Sequence, residues 1–131
     1  AAKHCENHVV TASVDHISFS APIHLGDAIT IEATVTRAFT TSVEIYLEVY
    51  ARDITGTNPR KSNHAFMTFV ALDPKTKEPC PVPAVIPLSG EEEKLYEAAV
   101  RRREIRLILA GKMKAEDANE VRNFFDSFPR K

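Results

Sequence analysis

The chain contains no tryptophan, only two cysteines, two methionines and four glycines among its 131 residues. Two cysteines cannot build the disulfide framework of a small secreted domain. Cys5 and Cys80 also sit in no metal-ligand spacing, so a reduced, cytoplasmic setting is expected. There is no glycine-rich loop to cradle phosphates, no nucleophile elbow and no zinc motif. No apolar run approaches the length of a membrane span, and no cationic-then-apolar leader opens the chain. Seventeen Lys and Arg face eighteen Asp and Glu, for a net charge of −1. That balance lacks the basic excess by which nucleic-acid partners are usually recognised. Internal repeats and low-complexity tracts are missing too.

What is present is the composition of an ordinary globular domain, 44% hydrophobic and 27% charged. Residues 9–19 are rich in Val, Thr and Ile and read as a strand. Residues 21–27, with Pro22 and Gly26 as breakers, read as a turn. Ile29, Ile31, Ala33 and Val35 alternate with Thr30, Glu32, Thr34 and Thr36, the period of a half-buried strand. Val43, Ile45, Leu47, Val49 and Ala51 repeat that pattern. Residues 55–59 make a hairpin loop, and residues 65–72 form a fourth, more apolar strand. Short connections between successive strands predict an antiparallel meander of four strands. Such a sheet needs a partner for its apolar face.

From Pro74 the texture changes. Five prolines between Pro74 and Pro87 make an extended connector that no helix interior tolerates. Ser89, with Glu92 three residues on, forms a capping box, and Glu91, Glu92 and Glu93 complement the helix dipole. This helix is expected to end near Leu109, before Gly111. A second amphipathic stretch covers residues 115–128. Arg101, Arg102, Arg103 and Arg106 invite a phosphate or RNA reading. However, Glu97 and Glu104 share their helix, and residues 89–131 net only +1, so a solvated helix face is the better reading.

Two stretches carry a resemblance. The first is Val9-Val10-Thr11-Ala12-Ser13-Val14-Asp15-His16-Ile17-Ser18-Phe19, leading into Ala21-Pro22-Ile23 and Gly26-Asp27. The second is Phe66-Met67-Thr68-Phe69-Val70-Ala71-Leu72-Asp73. Together they resemble the hotdog-fold acyl-CoA thioesterases, in particular the cytosolic acyl-CoA hydrolase branch, over residues 1–88. The resemblance implies an α+β hotdog-type domain over 1–88, followed by a helical C-terminal extension over 89–131. It implies hydrolysis of acyl-CoA to free acid and CoA, with CoA entering as substrate rather than as a cofactor. It also implies a homo-oligomer whose sites are shared between subunits, a dimer at least and a trimer of dimers as the larger assembly. No metal, redox cofactor, nucleic acid or membrane span is expected.

Thioester hydrolysis needs an activated water or a carboxylate nucleophile, and donors for the developing oxyanion. In the resembled family an Asp on the central helix supplies the first, and amides at that helix's start supply the second. Here that helix is expected to precede Ala1, with only its last turn remaining near Ala2-Lys3-His4-Cys5. Among the residues present, Asp15 is the best carboxylate candidate and Thr11 a candidate hydroxyl donor. The bland alternatives are a solvated or ion-paired strand residue and ordinary β-propensity. Arg37, Thr41 and Ser42 resemble the family's basic-then-Ser hairpin and form a candidate diphosphate cradle; the alternative is a polar turn. Phe19 and Pro22 are candidates to line the pantetheine tunnel, or else are core. The rival functions are an acyl-CoA-binding module with little catalysis and an oligomerising hotdog domain. His4, His8, His16, His24 and His64 are scattered and read as structural or surface residues.

Overall fold

In a computed structural model, which describes residues 1–128, the chain divides into two compact units, Ala1–Ile86 and a second beginning at Pro87. The last residues of the expected C-terminal extension, 129–131, lie outside the described residues.

The first unit holds a short helix, α1 (Ala2–Cys5), and four strands, β1 (His8–Phe19), β2 (Ala28–Ala38), β3 (Ser42–Arg52) and β4 (Arg60–Leu72). They form one antiparallel sheet in the order β1-β4-β3-β2. The expected meander therefore holds for β2, β3 and β4, but β1 pairs with β4 instead of β2. The physical reason lies in residues 20–27. A crossover to the far edge of the sheet spans three strand spacings, roughly 14 Å, and about eight extended residues reach further than that. The backbone amides of Ser20 and Ala21 donate to Ser62 O at 2.7 and 3.1 Å, which turns the chain across the end of β4.

Residues opposite one another in an antiparallel pair share a face. Val35, Ile45 and Met67 stand in one cross-strand row, Ala33, Leu47 and Ala65 in the next, and Val43 lies opposite Phe69. These rows make the apolar face. Val43, Ile45, Ala51 and Ala71 are its buried core. The other face carries Glu44 opposite Thr68, Tyr46 opposite Phe66 and Glu48 opposite His64. Burial on this face is polar: Glu44 and Thr68 are covered, and Thr36 Oγ1 donates to Glu44 Oε1 at 2.6 Å.

In the second unit, α2 (Gly90–Leu109) starts from the expected capping box, with Ser89 Oγ accepting from Glu92 N. A 3-10 turn (Ala115–Asp117) leads to α3 (Asn119–Asp126). Ala118, at the start of α3, has no side chain able to cap it. Glu104 of α2 does so from outside, its carboxylate accepting from Glu120 N at 3.2 Å and Val121 N at 2.9 Å. The Arg101 guanidinium lies over the Phe124 ring at 4.2 Å, and Arg102 donates to Leu95 O at 2.7 Å. The expected solvated arginine face is thus partly covered, because the guanidinium planes stack and bond within the unit.

Candidate active site

β1 carries the two catalytic candidates, and its irregularities decide where they point. Strict alternation sends residues four apart to one face. A bulge lies between Thr11 and Ser13, so Thr11 falls opposite Phe69 while Asp15 falls opposite Phe66. Thr11 therefore stands on the apolar face and Asp15 on the polar one. Asp15 Oδ2 accepts from Ser13 Oγ at 2.8 Å. A second irregularity, between Asp15 and Ser18, holds His16 at φ 51 with its ring edge-on to Phe66.

The CoA candidates separate into two groups. Phe19 and Pro22 share a groove of about 390 Å³ with Ser20, Ala21, Ile23, Ser62 and Asn63. Arg37, Thr41 and Ser42 gather at the β2–β3 hairpin, where Phe39 N donates to Ser42 O at 2.8 Å and the Arg37 guanidinium lies 6.0 Å from the Phe39 ring centre. Arg37 is level with Glu44, whereas Phe19 is level with Asn63 and Val49. The two groups thus stand about five residues apart along the sheet, roughly 17 Å.

Sequence reasoning missed the residues that build the groove. Ser62 Oγ donates to Ala21 O at 2.8 Å, and Arg60 Nε donates to Pro22 O at 3.0 Å. Arg60 also pairs with Asp27 through Nη2, both side chains being largely buried, and donates to Asn58 O at 3.0 Å. Asp27 accepts from His24 N at 2.7 Å. That amide first, and Arg60 after it, hold the Asp27 carboxyl below the ordinary carboxylate range. The one local signal was Asp27 directly after Gly26 in the turn; nothing nearby in sequence points to Arg60.

On the polar face, Glu48 accepts from Lys61 Nζ at 2.9 Å and from the Tyr50 hydroxyl at 2.8 Å. The Lys61 bond, then the Tyr50 bond, lower the Glu48 carboxyl, while Glu48 raises both of its partners. His64 lies beside Tyr46, ring centres 5.9 Å apart, and its Nδ1 is buried without a hydrogen-bond partner among the described residues. On the apolar face, α1 and the sheet enclose a cleft of about 440 Å³ lined by Ala1, Lys3, His4, Ala33, Val35 and Ile45. No group of three or more His, Cys, Asp or Glu among the described residues could hold a metal ion. No described helix is long and apolar enough to cross a membrane.

A four-stranded antiparallel sheet with the short helix α1 beside its apolar face is an α+β arrangement, and comparison with known proteins identifies the fold. The pattern of the Thioesterase superfamily matches residues 1–57. An uncharacterised acyl-CoA thioester hydrolase of Bacillus subtilis, YkhA, is 39% identical over 102 residues, 78% of this chain and 59% of that protein. The rat cytosolic acyl coenzyme A thioester hydrolase is 37% identical over 74% of this chain and 26% of its own length. The chain thus spans less than two thirds of the length of each of these relatives. Among solved structures, an apo-hexameric acyl-CoA thioesterase superposes with a TM-score of 0.76 at 38% identity, covering 83% of this chain and 69% of the other. The acyl-CoA hydrolase of Staphylococcus aureus, in complex with butyryl coenzyme A, coenzyme A and coenzyme A disulfide, gives 0.72 at 34% identity, covering 85% and 69%. The chain belongs to the hotdog-fold acyl-CoA thioesterase family.

Proposed function

We propose that the protein hydrolyses acyl-CoA thioesters to a free carboxylic acid and CoA, working in the cytoplasm as a homo-oligomer. The observation that carries this reading is the match, over most of the chain, to acyl-CoA hydrolases, one of them seen with butyryl coenzyme A. Water adds to the thioester carbonyl carbon, the C–S bond breaks, and CoA leaves as a thiolate that takes up a proton. Such a reaction needs a base and oxyanion donors but no redox chemistry. In this reading Thr11 supplies a hydroxyl near the carbonyl, Asp15 a carboxylate, Arg37, Thr41 and Ser42 the diphosphate cradle, and Phe19 and Pro22 the pantetheine wall.

The separation of the two CoA groups along the sheet favours a site assembled from more than one subunit, with the dimer as its unit and a trimer of dimers as the larger form. An acyl-CoA hydrolase of the hexameric kind is among the relatives, which supports that assembly. The divergence of Thr11 and Asp15 to opposite faces favours one second reading, an acyl-CoA-binding module with weak turnover.

The test is release of CoA from acetyl-, butyryl- and palmitoyl-CoA, followed by mass spectrometry, with calorimetric titration of CoA alongside. Turnover well above the buffer rate supports the enzyme. Tight binding without turnover selects the binding module, and neither leaves only an oligomerising domain. Arg37→Ala is expected to weaken CoA binding by about 1–3 kcal/mol, the scale for removing hydrogen bonds to a charged group; an unchanged dissociation constant removes Arg37 from the site.

A further inference from the structure

Glu44, on β3, is only 1% exposed, and its neighbours Thr36 and Thr68 are covered with it. Thr36 Oγ1 lies 2.6 Å from Glu44 Oε1 and 3.1 Å from Glu44 O, so one hydroxyl proton serves both the carboxylate and the carbonyl. The shorter separation is that of a hydroxyl donating to a charged oxygen. One hydroxyl does not offset the burial of a carboxylate, which calls for a cation as well. The register of the sheet supplies it. An irregularity in β2 between Val35 and Arg37 sets Arg37 directly opposite Glu44. Strict alternation would have left Arg37 on the apolar face with Val35; the extra residue, Thr36, turns it onto the polar face. Residues paired in this way have Cβ atoms about 4.5–5.5 Å apart, within reach of a guanidinium and a carboxylate. Lys61, further along this face, is taken by Glu48.

We infer that Glu44 is a positioning residue for CoA binding: fixed by Thr36, it orients the Arg37 guanidinium towards the diphosphate. The inference rests on the reading of Arg37, Thr41 and Ser42 as the diphosphate cradle. Ser42 stands two residues before Glu44 on the same face, and the turn bearing Thr41 is clamped by backbone bonds. Phe39 N donates to Ser42 O at 2.8 Å, and Ala71 N donates to Thr41 O at 3.0 Å. The two hydroxyls are thus placed by the backbone. Arg37, in contrast, has a long side chain whose rotamers must be frozen before it can offer its planar fork to a phosphate. The Phe39 ring, 6.0 Å from the guanidinium, gives it a flat neighbour, and Glu44 gives it a charged one. Buried as it is, Glu44 does not meet the ligand itself; it acts through Arg37.

The test is calorimetric titration with CoA and with pantetheine, which lacks the phosphates. The proteins are wild type, Glu44→Gln, Thr36→Val, Arg37→Ala, and each of the first two variants combined with Arg37→Ala. Glu44→Gln is expected to weaken CoA binding about tenfold and Thr36→Val about threefold, with pantetheine bound as by wild type. In the Arg37→Ala background neither substitution weakens CoA further, because the side chain they position is gone. Thr36→Val carries the test should Glu44→Gln fail to fold. Equal losses for CoA and pantetheine mark Glu44 as structural only, and losses that multiply with that of Arg37→Ala mean that it acts elsewhere. Either result overturns the inference, as does unchanged or tighter CoA binding by Glu44→Gln when Arg37→Ala weakens it. Unchanged CoA binding by Arg37→Ala instead removes the cradle itself, and the inference with it.

Discussion

Arg60, the first residue of β4, grips Asp27, the residue before β2, although 33 positions separate them. One guanidinium thereby joins the incoming end of β2, the Pro22 carbonyl in the crossover and the Asn58 carbonyl in the β3–β4 loop. This single side chain thus ties two loops, 20–27 and 53–59, at the end of the sheet that holds the groove with Phe19 and Pro22.

Arg60→Ala is therefore expected to lower the melting temperature by roughly 5–10 °C, and to speed amide exchange across residues 19–23. Arg60→Lys recovers only part of the loss, since an ammonium cannot repeat the planar fork. The Asp27 carboxyl is depressed in the folded state, so its contribution is complete above the ordinary carboxylate range and is lost as the pH falls through the lowered value. The gap in melting temperature between wild type and Asp27→Asn is accordingly widest near neutrality and closes only below about pH 4. A gap that stays constant down to strong acid contradicts this.

The Tyr50 hydroxyl titrates above its ordinary value because it donates to Glu48. Replacing Glu48 with Gln removes the charge that holds the phenol protonated. Ultraviolet titration should then show one of the three tyrosines shifting downward, towards the usual value of about 10. Unaltered curves would mean that the bond does not form in solution.

Glu104→Ala takes away the only side-chain cap of α3 among the described residues and leaves the Glu120 and Val121 amides without their acceptor. The cost is about 1–3 kcal/mol, measured by chemical denaturation, with the helical signal of residues 119–126 weakened. Glu104→Gln keeps one acceptor oxygen and should fall between the two.

Thr11 and Asp15 project from opposite faces of one protomer, so in the proposed site they meet only across subunits. If both serve one thioester carbonyl, the loss in kcat/KM of the double variant Thr11→Val, Asp15→Asn is clearly smaller than the product of the two single losses. A double loss equal to that product within about twofold would show that they do not share a reacting centre.

The strands, the breakers at Pro22 and Gly26, and the Ser89 capping box were legible because each is a local pattern. The face on which Asp15 lies was not. One inserted residue near Ala12 reverses the alternation, and no residue type there announces a bulge. The pairing of β1 with β4 was equally hidden, since strand propensity is silent about which neighbour a strand takes. Arg60 illustrates the same limit within the site: its partners Pro22, Asp27, Asp53 and Asn58 lie in loops 2 to 38 residues away, and only the folded sheet brings them together.

β4 is the common spine of the first unit. It pairs with β1 on one side and β3 on the other, turns the crossover through Ser62, and holds the connector through Ala71. Every pairing that β1 makes is with β4, from His8 with Leu72 to Phe19 with Asn63. During synthesis β1 is thus made before β4, the strand it pairs with among the described residues, and waits while β2 and β3 zip together through local contacts. Docking of β1 is the long-range, slow step of folding. Until it occurs both edges of β1 are open; once it has docked one edge remains, with Val10, Val14 and Ile17 still exposed.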